Sequence, residues 1–152
     1  MTIEDDIAFF ERVPTLQMLG RGALRILAIG AESRYIHSGE VLFDAGEAAD
    51  AGFVIQEGSF SLANSEGGEP VTVGPGTLLG ELAMLTETTR PVTATALEPS
   101  TVLRIPRTLF LKTLEGYPEA AERMRDLLAS RTEQSTRDMY SVRSVLGPRE
   151  PE

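Results

Sequence analysis

The stretch from Ser33 to Ile105 constrains this chain most, because short apolar runs in it alternate with turn residues every few positions. Residues 35–37, 41–43, 53–55, 60–62, 71–73, 92–96 and 101–105 are rich in β-branched, aromatic and aliphatic side chains. The first four are each bounded by Gly, Asp, Asn or Ser. Runs so short and so punctuated predict strands of an antiparallel sandwich, barrel or roll. Glycines 39, 46, 52, 58, 67, 68, 74, 76 and 80 are read as its corners, where positive φ costs glycine least.

On either side the apolar period lengthens to that of helices. Ile7, Phe10, Val13, Leu16, Leu19, Leu24 and Leu27 recur at spacings of three to five, and Pro14 and the Gly20–Gly22 pair cut this zone into short helices. After the strands, Pro106 is assigned to a first helical position, Phe110 and Leu114 lie one turn apart, and Gly116 closes that helix. Pro118 then opens a longer one with Ala121, Met124, Leu128, Met139, Val142 and Val145 on or near one stripe. Unbroken to Leu146, it would run to roughly 40 Å. The expected organisation is one domain over 1–146, with helices about 3–32, strands about 33–105 and helices about 106–146. A disordered tail is expected over 147–152.

A chain of 152 residues suffices for one hydrophobic core. Its net charge of −9 supplies no basic field for nucleic acid or an anionic membrane. With no cysteine, disulfides, thiolate metal sites and cysteine nucleophiles are excluded. The first ten residues lack the basic start of a signal peptide, and no apolar stretch approaches a membrane span, so a cytoplasmic location is expected. His37 is the only histidine and assembles neither a metal site nor a Ser-His-Asp set. The loop 44–52 lacks calcium-loop spacing, with Gly46 and Ala48 at needed ligand positions. Gly74-Pro75-Gly76 followed by Gly80 misses the dinucleotide spacing by one residue. No enzyme, cofactor or metal is expected.

One segment carries a specific chemistry: Gly80-Glu81-Leu82-Ala83-Met84-Leu85-Thr86-Glu87-Thr88-Thr89-Arg90-Pro91-Val92-Thr93. A glycine-led turn enters one short helical turn at 81–85, whose free N–H groups at Ala83 and its neighbours favour an anion. Arg90 offers a forked, permanently charged donor for phosphate oxygens. Glu81 offers an acceptor for a sugar hydroxyl. Taken singly, Glu81 reads rather as a first-turn acid, and Arg90 as a solvated side chain or a partner of Glu81; their joint spacing favours the pocket.

Gly80-Glu81-Leu82-Ala83 and Arg90 resemble, in type and spacing, the phosphate-binding cassette of the cyclic-nucleotide-binding domain family. That family includes the catabolite activator protein, protein kinase A regulatory subunits and cyclic-nucleotide-gated channels. Val13-Pro14 with Leu16 and Leu19, Gly39-Glu40-Val41-Leu42-Phe43, Gly46-Glu47 and Phe53-Val54-Ile55-Gln56-Glu57-Gly58 extend the resemblance over about 13–128. It implies a mainly β fold with flanking helices: an antiparallel double-stranded β-roll, jelly-roll-like, with N-terminal helices and a long C-terminal helix. It further implies that Glu81 binds the ribose 2′-hydroxyl and Arg90 the cyclic phosphate, with Gly80 and the Ala83 N–H completing the cradle. The ligand set is Gly80, Glu81, Leu82, Ala83, Arg90, Pro91, Val92 and Thr93.

Pro91 departs from the family's small residue after the arginine and has no N–H to give the phosphate. Neither Pro91 nor Val92 supplies the hydroxyl of cGMP-preferring members, which points to cAMP, with cGMP the alternative; Thr93 stands near enough to compensate in part. The apolar stripe after Pro118 is interrupted at Arg131 and Ser135, and by the same pattern Ser135 and Thr136 fall near the adenine. These three residues are read as base-capping candidates, or else as a solvated helix face or weakened dimer seam.

The leading reading is a sensor module whose C-terminal helix signals to a dimer mate or a separate protein effector. The alternative is a ligand-free interaction or dimerisation domain. A catabolite-activator-type regulator ranks below both, because the residues after Leu146 are too few for a helix-turn-helix.

Overall fold

The structure is a computed structural model and describes residues 2–64 and 66–127. Three helices come first: α1 Ile3–Phe10, α2 Pro14–Gln17 and α3 Arg21–Gly30. Thr2 and Asp5 form a reciprocal cap at the start of α1, each side chain bonding the other's backbone N–H. Pro14 occupies the first turn of α2, where its missing N–H costs nothing.

Ten strands follow: β1 Glu32–Ile36, β2 Val41–Phe43, β3 Ala48–Ala49, β4 Ala51–Glu57, β5 Phe60–Ala63, β6 Val71–Val73, β7 Leu78–Leu79, β8 Thr88–Thr89, β9 Thr93–Ala96 and β10 Ser100–Pro106. A single 3-10 turn, Leu82–Met84, separates β7 from β8. Helix α4 spans Arg107–Gly116, and a further helix, α5, begins at residue 118 and continues through 127.

All pairings are antiparallel, in one sheet of order β1-β10-β4-β7, a second of order β2-β9-β5-β6, and the small pair β3-β8. The first sheet lies between two apolar layers. Phe53, Ile55, Leu79 and Val102 face the second sheet, packing with Phe43, Phe60, Ala94 and Ala96. Val54, Leu103 and Ile105 face the helices, packing with Phe10, Leu16, Leu24, Leu27 and Phe110. Burial on both faces explains why β4 is apolar along nearly its whole length instead of alternating. This is the expected mainly β roll with flanking helices.

Three sequence expectations need correction. Pro106 is not the first helical residue: it is the last residue of β10, paired with Ala51, and its extended backbone (ψ 146°) makes it the N-cap of α4. Gly52 is not a corner but an interior residue of β4. A Cβ there would come within 2.9 Å of the Met84 side chain, so this glycine is required for close approach. Gly74 likewise lacks the positive φ found at Gly39, Gly46, Gly58, Gly67, Gly68, Gly76 and Gly80. The expected stripe from Leu128 to Val145, the residues Arg131, Ser135 and Thr136, and the tail over 147–152 lie outside the described residues.

Candidate functional site

The segment from Gly80 to Val92 forms one wall of a cavity of about 380 Å³, completed by Phe43, Ala49, Leu62, Leu78 and Leu79. That size suits a small molecule, since ligand pockets run from about 300 to 1,000 Å³. The lining is largely apolar, and its polar side chains are Glu81, Thr88, Thr89 and Arg90.

The segment is fastened at both ends. At its exit, β8 pairs with β3, the Arg90 N–H bonds the Glu47 carbonyl, and the Gly46 N–H bonds the Arg90 carbonyl, both at 2.8 Å. At its entrance, Met84 is fully buried in the helix-side core. Arg107, the first residue of α4, adds a fastening: its Nη1 donates to the carbonyls of Ala49 (3.2 Å), Ala83 (3.4 Å) and Thr86 (2.8 Å).

Arg90 is not the solvated side chain it resembles in isolation; it is 5% exposed. Its guanidinium carbon lies 4.3 Å from the centre of the Phe43 ring and 5.4 Å from that of Phe53. Two aromatic faces hold the cation electrostatically without consuming N–H donors. Nη1 is left buried with no hydrogen-bond partner. Burial lowers the guanidinium's pKa from its ordinary value; the charges of Asp50 and Glu47 oppose that shift and Arg104 adds to it. A buried donor without a partner is uncommon, and here it belongs to a cation lining a ligand-sized cavity. The arrangement fits an anion.

Glu81 precedes the 3-10 turn in a helical conformation. Its Oε2 accepts the hydroxyl proton of Thr15, a buried residue of α2. Leu82 is 54% exposed and lines the cavity, presenting apolar surface to it.

One donor expected in the cradle is otherwise engaged, and a second lies outside the cavity. The Ala83 N–H is not free: it bonds the Gly80 carbonyl at 3.0 Å, because a 3-10 turn closes its ring over three residues. Thr93 does not line the cavity, and its hydroxyl accepts the Ala45 N–H at 2.9 Å. The structure thus brings Gly80, Glu81, Leu82, Ala83, Arg90, Pro91 and Val92 to one cavity and leaves Thr93 out.

Residues 33–117 match the family model described as the cyclic nucleotide-binding domain. The chain belongs to that family. A cyclic nucleotide-gated potassium channel of Mesorhizobium japonicum is 32% identical over 110 residues, 72% of this chain and 30% of the channel. The lysophospholipase NTE1 of Pyricularia oryzae is 33% identical over 100 residues, 63% of this chain and 7% of that protein. The chain therefore spans under a third of either curated relative. A solved cyclic nucleotide-binding-like protein from Brucella abortus is 37% identical, with a TM-score of 0.65 over 73% of this chain and 98% of its own. The family is a binding domain. Among the described residues, no helix is long and apolar enough to cross a membrane, and no cluster of His, Cys, Asp or Glu suits a metal ion.

Sequence reasoning missed Phe43, Phe53 and Thr15. The two phenylalanines lie in runs already read as core strands, and nothing local distinguishes an aromatic that packs on a cation from one that packs on leucine. Thr15 lies 66 residues from its partner.

Proposed function

We propose that this chain is a ligand-sensing module that binds a cyclic nucleotide, cAMP in preference to cGMP, in the cavity walled by residues 80–92. Arg90 carries the reading: a buried cation with an unsatisfied Nη1 beside a largely apolar, ligand-sized space. The cyclic phosphate would take that donor, Glu81 would accept from the ribose 2′-hydroxyl, and the apolar lining would cover the base. Arg107 ties the Ala83 and Thr86 carbonyls to α4, so a shift of the cassette on binding would reach the C-terminal helices. Output would then pass from those helices to a partner protein or a second copy. The match covers 7% of NTE1 and carries no lysophospholipase activity over to this chain.

Calorimetry on the wild type and Arg90→Ala tests the reading. Micromolar or tighter cAMP binding by the wild type, weaker cGMP binding and none by the variant are expected. No heat from either protein with either nucleotide would refute it.

Pro91 favours a second reading, a ligand-free interaction domain, since proline has no N–H for the phosphate. Sedimentation with and without cAMP separates the two: a dimer indifferent to the nucleotide supports the scaffold.

A further inference from the structure

Glu81 stands between two depressions, the cavity described above and a groove formed by α2, the Gly76 turn and Leu127. Thr15 reaches it from the groove side, donating its hydroxyl proton to Oε2. The donor is itself immobilised. Pro14 fixes the backbone as α2 begins, Val13 and Leu16 on either side are buried in the helix-side core, and a β-branched threonine has few χ1 choices.

Ordering the three side-chain torsions of a glutamate carries an entropic cost. A hydroxyl-to-carboxylate bond is charge-assisted and directional, so it selects one placement of the carboxylate beforehand. We infer that Thr15 is a positioning residue for the ligand's ribose: by holding Oε2, it sets the Glu81 carboxylate to accept from the 2′-hydroxyl. The inference rests on the cyclic-nucleotide reading of the cavity and adds a determinant of sugar recognition that lies outside the cassette, on the N-terminal helices.

The test measures the affinity of the whole chain for cAMP and for 2′-deoxy-cAMP in the wild type, Thr15→Val and Thr15→Ser. In the wild type, removal of the 2′-hydroxyl should weaken binding about tenfold, the scale of a hydrogen bond to a charged group. T15V should weaken cAMP by a similar factor and leave 2′-deoxy-cAMP nearly unchanged, so that discrimination between the two sugars disappears. T15S keeps the hydroxyl and should keep the discrimination.

Equal weakening of both ligands by T15V would mean that Thr15 only supports the fold. Tighter cAMP binding would mean that it competes with the ligand. Loss of discrimination in T15S would assign the effect to the methyl group. Each of these overturns the inference while leaving the reading of the cavity intact. A wild type that binds cAMP without regard to the 2′-hydroxyl also overturns it alone; a wild type that binds neither nucleotide overturns both. Melting curves check that each variant folds, and Thr15→Ala replaces T15V if that protein does not melt cooperatively.

Discussion

Gly80 leaves the space that the Arg90 guanidinium occupies: a Cβ at residue 80 would lie 2.4 Å from Arg90 Nη1 and 3.2 Å from the Ala51 carbonyl oxygen. Its φ of +78° adds a conformational reason for glycine at the same position. Gly80→Ala should therefore strain the backbone and displace the cation together. The expected stability loss is about 1–3 kcal/mol, and cAMP affinity should fall roughly tenfold or more as the charge-assisted contact is misaligned. Urea denaturation and calorimetry read the two effects; unchanged affinity in a folded variant would show that the guanidinium's placement does not matter for binding.

Arg90→Met separates binding from folding. Removing a buried donor with no partner relieves a desolvation cost of about 1–3 kcal/mol. The lost attraction to the Phe43 and Phe53 rings is worth about 0.5–2 kcal/mol. These terms oppose, so ligand-free stability should stay within about 1 kcal/mol of the wild type or rise. The stabilisation that cAMP confers on the wild type should vanish in the variant. A much larger drop without ligand would show that the guanidinium mainly holds the two sheets together.

Pro91→Ala restores an N–H next to Arg90. If that donor reaches the phosphate, as the family's pattern implies, affinity should improve about tenfold, the worth of one hydrogen bond to a charged group. Calorimetry on P91A checks this. Affinity equal to or below the wild type's would mean that proline's fixed φ organises the loop more usefully than an extra donor.

The contrast between Arg90 and Phe43 shows what the sequence made legible. Gly80, Glu81, Ala83 and Arg90 stand out because they fall in one segment at the spacing of the family's cassette, and the structure brings all four to one cavity. The roll was readable for a similar local reason, in that its longer strands are bounded by glycine or polar turns. Phe43, Phe53 and Thr15 reach the site from other elements, and their roles exist only after the chain has folded. The two-residue strands Ala48–Ala49, Leu78–Leu79 and Thr88–Thr89 escaped for a different reason. So short a ladder has no period, and its pairing is dictated by the loops it joins.

Arg107 gives a prediction about the cassette's rigidity. Its Nη1 serves carbonyls from β3, the 3-10 turn and the loop after it, and its own N–H bonds the Asp50 carbonyl at 2.8 Å. Arg107→Met removes the side-chain donors while keeping a long apolar stem, and should cost about 2 kcal/mol. Amide exchange at residues 82–86 should rise more than at β4. Uniform acceleration across the roll would show that the loss is global and that Arg107 has no special hold on the cassette.

Asp6 makes stability depend on pH from the far side of the roll. It lies on α1, where it accepts a 2.8 Å hydrogen bond from Nε2 of the buried Gln56 on β4. Burial raises its pKa above the ordinary carboxylate value; the Gln56 bond and the amino terminus pull it back in part, and the Asp5 charge adds to the rise. The folded state thus binds this proton more tightly than the unfolded chain does. Stability from this group is gained as pH falls through the raised value and lost as pH climbs from the unfolded pKa past it. Asp6→Asn keeps an oxygen for Gln56 and removes the titration. Its stability should vary less with pH than the wild type's between about pH 4 and 6, the range just above an ordinary aspartate. Parallel curves for the two proteins in urea denaturation across that range would show that α1 docks on the roll without regard to the charge on Asp6.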